Sequence, residues 1–233
     1  SGFLGCTSII STFRLIKEII NFDPNIIHLH NLHGDYINIP ILFRFLRKSD
    51  ISVIWTLHDC WAFTGRCPHF QLTGCEKWIN GCDDCIYPKE YYPESYIDHT
   101  KYLWNMKKKY FTSLKKLYIV TPSKWLRKLV QRSFLNKYPV DVIYNGINTD
   151  IFKPTYSEDI AKRINKGNRK MILGVALGWK YSKGIDVFEY ISQRLDDSYL
   201  LVLVGGGSFT NYSFGNNVVI IERTKEQKDL AVL

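Results

Sequence analysis

Residues 26–59, IIHLHNLHGDYINIPILFRFLRKSDISVIWTLHD, decide the fold class. Residues 26–30 and 52–57 are short apolar runs rich in β-branched side chains, which is typical of buried strands. Residues 37–48 between them have the apolar spacing of a helix. Strands that alternate with helices and are themselves continuously apolar predict a parallel sheet with helices on both faces.

The same alternation extends in both directions along the chain. Before residue 145 it predicts further helices at 12–20, 96–111 and 123–135 and strands at 117–121 and 140–144. Residues 145–170 are polar and contain Gly146, Pro154 and Gly167, which predicts a domain boundary with one short helix at 157–165. Beyond it, strands at 170–176, 199–207 and 218–222 and a helix at 183–195 begin a second α/β unit.

Composition excludes a disordered protein, since 45% of the 233 residues are hydrophobic and 23% are charged. No apolar run reaches the ~18 residues that a membrane-spanning helix needs. The whole net charge of +9 arises in residues 101–140, which hold eleven Lys and Arg and no Asp or Glu. This segment predicts attraction to nucleic acid, anionic lipid head groups or a polyanionic substrate, or else a solvated helix face.

Polar side chains follow the first two predicted strands, where open parallel sheets bind their ligands. The first strand carries His28 and His30 and is followed by His33, and the second is followed by His58 and Asp59. Three histidines at this spacing are candidate metal ligands, but the sequence offers no carboxylate or thiol at a matching helical spacing. The alternative for His28 is a hydrogen-bonded residue of the core. His58 is the best candidate for proton transfer, with Asp59 as a group that fixes its tautomer or binds a hydroxyl.

A cysteine-rich segment at about 60–95 interrupts the alternation of strands and helices. Cys67, Cys75, Cys82 and Cys85 have the spacing C-x7-C-x6-C-x2-C in a polar loop with little core of its own. The pattern predicts structural zinc, with disulfides or free thiols as the alternatives. Cys60 or His69 are substitutes for one ligand, while Cys6 and Cys60 are otherwise explained as buried small residues.

Glycines and a lysine mark the strand ends of the second unit. The run at 205–207 (Gly205, Gly206, Gly207) follows a predicted strand, where backbone amides approach a phosphate closely, although such a run also makes a tight turn. Lys183 and Gly184 open the preceding helix, where an ammonium group and a helix N-terminus together attract a diphosphate.

Several stretches together resemble glycosyltransferase family 4, in particular the enzymes of colanic-acid and capsular polysaccharide assembly in bacteria. They include HLHNLHGDYINIPILF, TLHDCWAFTGRC, GCEKWINGCDDC, VIYNGINTDIFKP and LGVALGWKYSKGIDVF. The resemblance covers nearly the whole chain and implies the GT-B fold of two Rossmann-like domains. On this basis we expect an acceptor-side domain at 1–150, a linker at 151–168 and a nucleotide-sugar-binding domain that begins at 169–233.

The resemblance also implies an activity. It is retaining transfer of a sugar from a nucleotide sugar, linked to UDP or GDP, to a polysaccharide or lipid-linked acceptor, without an obligatory catalytic metal. His58 matches the active-site histidine of the family and Asp59 its neighbour, and Lys183 matches the lysine that neutralises the donor diphosphate. Asn145 and Gly146 match the family's Asn-Gly at the strand end near the hinge, and the glycine turn near the nucleotide is matched by Gly205, Gly206 and Gly207. Gly184 is a further candidate for donor binding. The candidates on the acceptor side are His30, Asn31, His33 and Gly34.

The chain departs from the family pattern at three points. Gly178 stands where the family often has an arginine, with Lys180 as the nearest substitute, and the glycine-rich loop of the first strand is absent before Ser1. The E-x7-E element that holds the donor falls beyond Leu233. We therefore expect a fragment cut at both ends and inactive by itself.

Cellular context follows from the same reasoning. We expect a cytoplasmic protein, peripheral at the inner face of the membrane through the basic segment, which does not bind nucleic acid. The first alternative is a zinc-stabilised nucleic-acid-binding protein that uses the basic segment and its aromatic side chains, which we interpret mainly as core. The second is a non-catalytic binding domain of the same fold.

Overall fold

The computed structural model describes residues 4–85, 97–164, 166–222, 224 and 226–233. Contacts divide the chain into two compact units, Ser1–Asn145 and Gly146–Leu233. Residues 86–95 of the cysteine-rich segment and residue 96, at the predicted start of a helix, lie outside the described residues. Each unit is an α/β structure with its own parallel sheet, so the α/β prediction is confirmed.

The described residues of the first unit form four strands in the order β1-β2-β3-β4, all parallel. Its elements follow the predicted alternation: α1 (Ile9–Phe22), β1 (Ile26–Leu29), α2 (Ile39–Lys48), β2 (Ser52–Thr56), α3 (Thr100–Phe111), β3 (Leu117–Thr121), α4 (Lys124–Arg132) and β4 (Val140–Val142). Between β2 and α3 the described residues form only single turns of 3-10 helix, at Trp61–Phe63, Gln71–Thr73 and Lys77–Ile79. The cysteine-rich segment therefore has no strand or long helix in its described part.

Local sequence explains where two helices of the first unit begin. The side chain of Asn38 accepts a hydrogen bond from the amide of Ile41 and caps α2. Ser123 caps α4 in the same way through the amide of Leu126, as its position in the sequence predicts. Each cap satisfies a backbone donor that has no partner inside its helix.

The core of the first unit lies on one face of its sheet. Trp55 of β2 packs between Phe43 of α2 and Phe111 of α3, and the ring centroid of Phe111 lies 4.7 Å from each of the other two. On the opposite face, Ile26 and Tyr118 are 56% and 39% exposed. The described residues therefore do not cover both faces of this sheet, although the sequence had predicted coverage of both. Consecutive parallel strands joined by right-handed crossovers place all of the connecting helices on one face, which explains the difference.

The described residues of the second unit form three parallel strands in the order β5-β6-β7, and a helix follows β5 and another follows β7. Its elements are α5 (Glu158–Arg163), β5 (Lys170–Gly178), α6 (Ile185–Ser192), β6 (Tyr199–Gly206), β7 (Val218–Ile221) and α7 (Gln227–Ala231). The central strand β6 packs on both faces, with Leu200 in one apolar cluster and Leu201 in the other. Ile164 at the end of α5 joins the first cluster, although it lies in the segment expected to be a linker.

Candidate active site

Two histidines meet at the carboxyl ends of the neighbouring strands β1 and β2. Nδ1 of His30 lies 3.0 Å from Nε2 of His58, and the two rings are stacked with centroids 5.3 Å apart. Both side chains are exposed. The indole of buried Trp55 donates to the carbonyl of His30 at 2.8 Å and fixes the backbone beneath the pair. One imidazole must donate and the other accept, so the pair can gain or release a proton at an accessible edge.

A third histidine extends this cluster along β1. The ring of His28 lies 4.2 Å from that of His30, and its Nε2 lies 2.8 Å from Oγ1 of Thr56. Partial burial, then the neighbouring His30 and His58, lower the pKa of His28. His28 is therefore less readily protonated than an isolated histidine.

Asp59 contacts a different histidine from the one expected. Its Oδ2 lies 3.0 Å from Nε2 of His33, and its Oδ1 accepts a hydrogen bond from the amide of Trp61 at 2.8 Å. The residue that can set the tautomer of His58 is therefore His30. Asp59 instead holds the loop after β1 against the loop after β2, because it pairs with one residue from each.

The other acceptor-side candidates lie in the loop that follows β1. The carbonyl of Asn31 accepts a hydrogen bond from the hydroxyl of Tyr36. Gly34 has φ of 132°, a backbone conformation that L side chains rarely adopt. Asn31 and Gly34 are exposed near the histidine pair, while Asn145 and Gly146, also exposed, follow β4 at the boundary between the units.

A buried lysine, absent from the sequence-based candidates, underlies the His58 loop. Lys107 of α3 is wholly buried; its Nζ donates to the carbonyl of Trp61 at 2.7 Å and lies 3.8 Å from the centroid of the Trp61 ring. Burial lowers the pKa of Lys107 to about 7, opposed by Cys82, Cys67 and Asp59. Lys107 stands four residues after Leu103 and four residues before Phe111, both of which are apolar and buried. Residues four apart lie on one face of a helix, so this spacing indicates that Lys107 faces inward.

The four predicted zinc ligands, Cys67, Cys75, Cys82 and Cys85, all line one cavity of about 290 Å³. A hydrogen bond with Cys85 and burial raise the pKa of Cys67, and burial raises that of Cys82 to about 11. In the described parts of the chain, however, no three His, Cys, Asp or Glu side chains are arranged to hold a metal ion. The zinc prediction is therefore not supported by the arrangement as it stands.

The donor-side candidates lie at one edge of the second sheet. Gly178 at the end of β5 is paired with Gly206 at the end of β6, so the segments that follow both strands start side by side. One of them leads to the turn Tyr181–Lys183 and to Gly184, whose φ of 74° precedes α6. The glycines at the end of β6 have a packing reason, because a Cβ on Gly205 would lie 1.6 Å from the carbonyl oxygen of Ala176 and one on Gly207 would lie 3.0 Å from the amide of Trp179.

The basic segment at 101–140 is not a uniform surface. Lys107 is buried, Arg132 forms an ion pair with Glu76 at 2.7 Å, and Lys116 donates to the carbonyl of Asp50. The expectation that its aromatic side chains are core residues holds for Trp104 and Phe111 but is wrong for Trp125, which is 49% exposed. Among the helices that the structure describes, none is long and apolar enough to span a membrane.

These features fall within a recognised family. The model of Glycosyltransferase Family 4 matches residues 5–151, which include both histidines of the pair and the cysteine-rich segment. The chain therefore belongs to this family. It is also 39% identical over 75 residues to a protein of Escherichia coli K12 whose name describes a colanic acid biosynthesis glycosyl transferase, WcaC, an alignment that covers 30% of this chain and 18% of WcaC.

Solved structures show the same fold at low sequence identity. Sucrose-phosphate synthase from Thermosynechococcus elongatus is 14% identical with a TM-score of 0.60, and covers 95% of this chain. HepE of Anabaena, solved in complex with UDP, is 12% identical with a TM-score of 0.54 over 95% of the chain. The chain covers only 51% and 54% of these two proteins, about half their length. The similarity confirms the prediction of a GT-B type fold.

Proposed function

We propose that the protein containing this chain is a retaining glycosyltransferase that moves a sugar from a UDP- or GDP-sugar to a polysaccharide or lipid-linked acceptor. The observation that carries the proposal is the hydrogen-bonded pair of His30 and His58 at the strand ends of the unit that matches the family. An imidazole held at this edge can hydrogen-bond a sugar hydroxyl and accept or return its proton.

The donor belongs, in this proposal, to the edge of the second sheet formed by the ends of β5 and β6. Departure of a nucleoside diphosphate develops negative charge, which cations and helix N-termini stabilise. Lys183 and the start of α6 after Gly184 supply both kinds of group. HepE, which shares the fold, has been solved with UDP and with UDP-glucose, which supports a nucleotide-sugar donor.

The acceptor and the location of the protein follow from its relatives and its charge. The name of WcaC supports a role in assembly of an exopolysaccharide, capsule or lipopolysaccharide. Exposed lysines such as Lys101, Lys108 and Lys109 on α3 provide positive charge that would attract an anionic membrane carrying a lipid-linked acceptor. We therefore place the protein in the cytoplasm, peripheral at the inner face of the membrane.

The test is donor turnover by the longer protein that contains this chain. With UDP- and GDP-sugars supplied in turn, His58→Ala is expected to lower kcat about a hundredfold or more, the usual contribution of a positioned acid or base. His30→Ala should shift the pH profile of kcat, because it removes the hydrogen-bond partner of His58. The anomeric configuration of the product, read by NMR, reports retention or inversion.

Three results would contradict parts of this proposal. Unchanged kcat for His58→Ala, with circular dichroism confirming the fold, would remove His58 from the reaction. An inverted product would exclude retention. Salt-dependent binding to bulk nucleic acid without binding of any nucleoside diphosphate would favour the nucleic-acid-binding alternative. The chain alone, which lacks the E-x7-E element, is expected to show no transfer.

A further inference from the structure

The pair of His33 and Asp59 is the strongest feature of the first unit that the proposed function leaves without a chemical role. Nε2 of His33 lies 3.0 Å from Oδ2 of Asp59, and the two side chains are 32% and 16% exposed. His30 and His58 line the same depression at the carboxyl ends of β1 and β2. The pair of His33 and Asp59 therefore lies beside the histidine pair on which the proposed function depends.

Asp59 fixes the tautomer of His33. A neutral imidazole has one N–H and a carboxylate only accepts, so the proton of neutral His33 lies on Nε2 and the lone pair lies on Nδ1. The other oxygen of Asp59 accepts a hydrogen bond from the amide of Trp61 at 2.8 Å, which holds the carboxylate in place. In the part of the chain that the structure describes, Nδ1 of His33 has no hydrogen-bond partner, so its lone pair can accept a proton from a ligand.

Asp59 also supplies the negative charge that a histidine base needs. An imidazole that accepts a proton becomes a cation, and a carboxylate in contact with the ring stabilises that cation. Protonation of His33 would convert its contact with Asp59 into an ion pair, and Asp59 also interacts electrostatically with the buried Lys107 of α3. The partner of His58 is instead the imidazole of His30, which carries no negative charge. Of the two pairs, His33 and Asp59 have the geometry better suited to acceptance of a proton.

We propose that His33 accepts the proton of the acceptor hydroxyl during sugar transfer, with Asp59 as its positioning residue, an inference that rests on the proposed function. The hydroxyl oxygen forms a bond to C1 of the donor sugar, the bond between C1 and the diphosphate breaks, and its electron pair leaves with the nucleoside diphosphate. The hydroxyl proton moves to Nδ1 of His33 and passes to solvent after the product departs. His30 and His58 remain available to hydrogen-bond another sugar hydroxyl.

The kinetic test uses the longer protein that contains this chain. Asp59→Asn can still accept from the amide of Trp61, but its NH2 group then faces His33 and favours the opposite tautomer, with the proton on Nδ1. It should lower kcat about a hundredfold or more while the midpoint of urea unfolding stays at the wild-type value. His33→Gln can still donate to Asp59 and should lower kcat to a similar extent. His99→Gln, which replaces a half-buried histidine outside the depression, should leave kcat unchanged.

A contact that only holds the two loops together would give a different result. Wild-type kcat in both Asp59→Asn and His33→Gln would overturn the inference, and so would a rise in KM for the acceptor with kcat unchanged. If His58→Ala loses transfer while these two variants keep it, the inference fails and the proposed function stands. If the wild type transfers no sugar from any UDP or GDP donor, the proposed function fails and the inference fails with it.

A second measurement is independent of activity. Nitrogen-15 NMR of the histidine side chains, at a pH where His33 is neutral, reports which ring nitrogen carries the proton. We expect a protonated Nε2 and a bare Nδ1 for His33 in the wild type and the reverse in Asp59→Asn. A wild-type His33 with its proton on Nδ1 would overturn the inference, whatever the turnover of the variants.

Discussion

The buried charge of Lys107 offers the sharpest test of how the candidate active-site loop is stabilised. The substitution Lys107→Met keeps most of the volume of the side chain and removes its charge. The side chain is 0% exposed, so the ammonium group has little access to solvent that could replace its partners. The effect of the substitution on stability is the difference between the contacts that it removes and the desolvation cost that it relieves.

The magnitude can be worked from the contacts. Removal of Lys107 loses a charged hydrogen bond to Trp61, worth about 1.5–3 kcal/mol, and a desolvated cation–π contact, worth about 2 kcal/mol. It also removes a desolvation cost of several kcal/mol, which nearly offsets these losses when the cysteines are neutral. Burial lowers the pKa of Lys107 to about 7, so above that pH the folded protein leaves this amine uncharged while the unfolded chain still binds the proton.

Urea unfolding of the wild type and of Lys107→Met at several pH values measures this difference. Below about pH 10 the unfolded chain binds a proton at Lys107 that the folded protein does not bind until about pH 7, so the wild type should lose about 1.4 kcal/mol per pH unit relative to Lys107→Met as the pH falls through this range. Lys109→Met, an exposed lysine on the same helix, should change stability by less than about 1 kcal/mol at each pH.

The reasoning would be refuted if the difference in stability between the wild type and Lys107→Met did not change with pH, to within about 0.5 kcal/mol. The amine of Lys107 would then titrate alike in the folded and the unfolded states, and its burial would carry no electrostatic cost.

Two further predictions concern stability. Gly205→Ala would place a Cβ 1.6 Å from the carbonyl oxygen of Ala176, at a residue whose φ is 124°. It should destabilise the second unit by at least about 2 kcal/mol in urea unfolding. Gly178→Ala should not, because a Cβ there would have no atom within 4 Å, and equal effects of the two substitutions would contradict the geometry. The Tyr138 hydroxyl lies 3.0 Å from the carbonyls of Phe111 and Leu114, so Tyr138→Phe should cost about 1–3 kcal/mol. Burial raises the pKa of Tyr138 to about 12, whereas the unfolded tyrosine releases its proton from about pH 10. The wild type should therefore lose stability as the pH rises above about 10, and Tyr138→Phe should lose less. Parallel profiles of stability against pH would contradict this.

The strands and helices were predictable because their residues repeat with a clear period. Residues 117–121 were predicted as a strand and form β3 with the same bounds, since the run is apolar, β-branched and bounded by polar turns. The apolar runs did not predict that the described helices leave one face of the first sheet exposed. Apolar periodicity identifies a strand without giving the order of strands in the sheet, and the order decides on which face the helices lie.

The candidate site was predictable in position and only partly in its contacts. Parallel strands end at one edge of a sheet, so the residues after β1 and β2 were expected to meet there, and His30 and His58 do. The expectation that Asp59 would act on His58 was based on adjacency in sequence. The chain bends at residues 58–60 after the end of β2, and in this bend Asp59 contacts His33 instead of His58.

The role of Lys107 explains why the largest gap in the sequence-based interpretation lies at the cysteines. The number of cysteines predicts a cross-link that stabilises a loop without a core of its own. It does not indicate which other part of the protein that cross-link would hold in place. In the structure, α3 brings a cation between the cysteine cavity and Trp61, one residue beyond the cysteine that follows Asp59. Lys107 thus contacts the candidate active-site loop through Trp61 and interacts electrostatically with Cys82 and Cys67. The stability of the cysteine-rich segment and the geometry of the candidate active site should therefore change together.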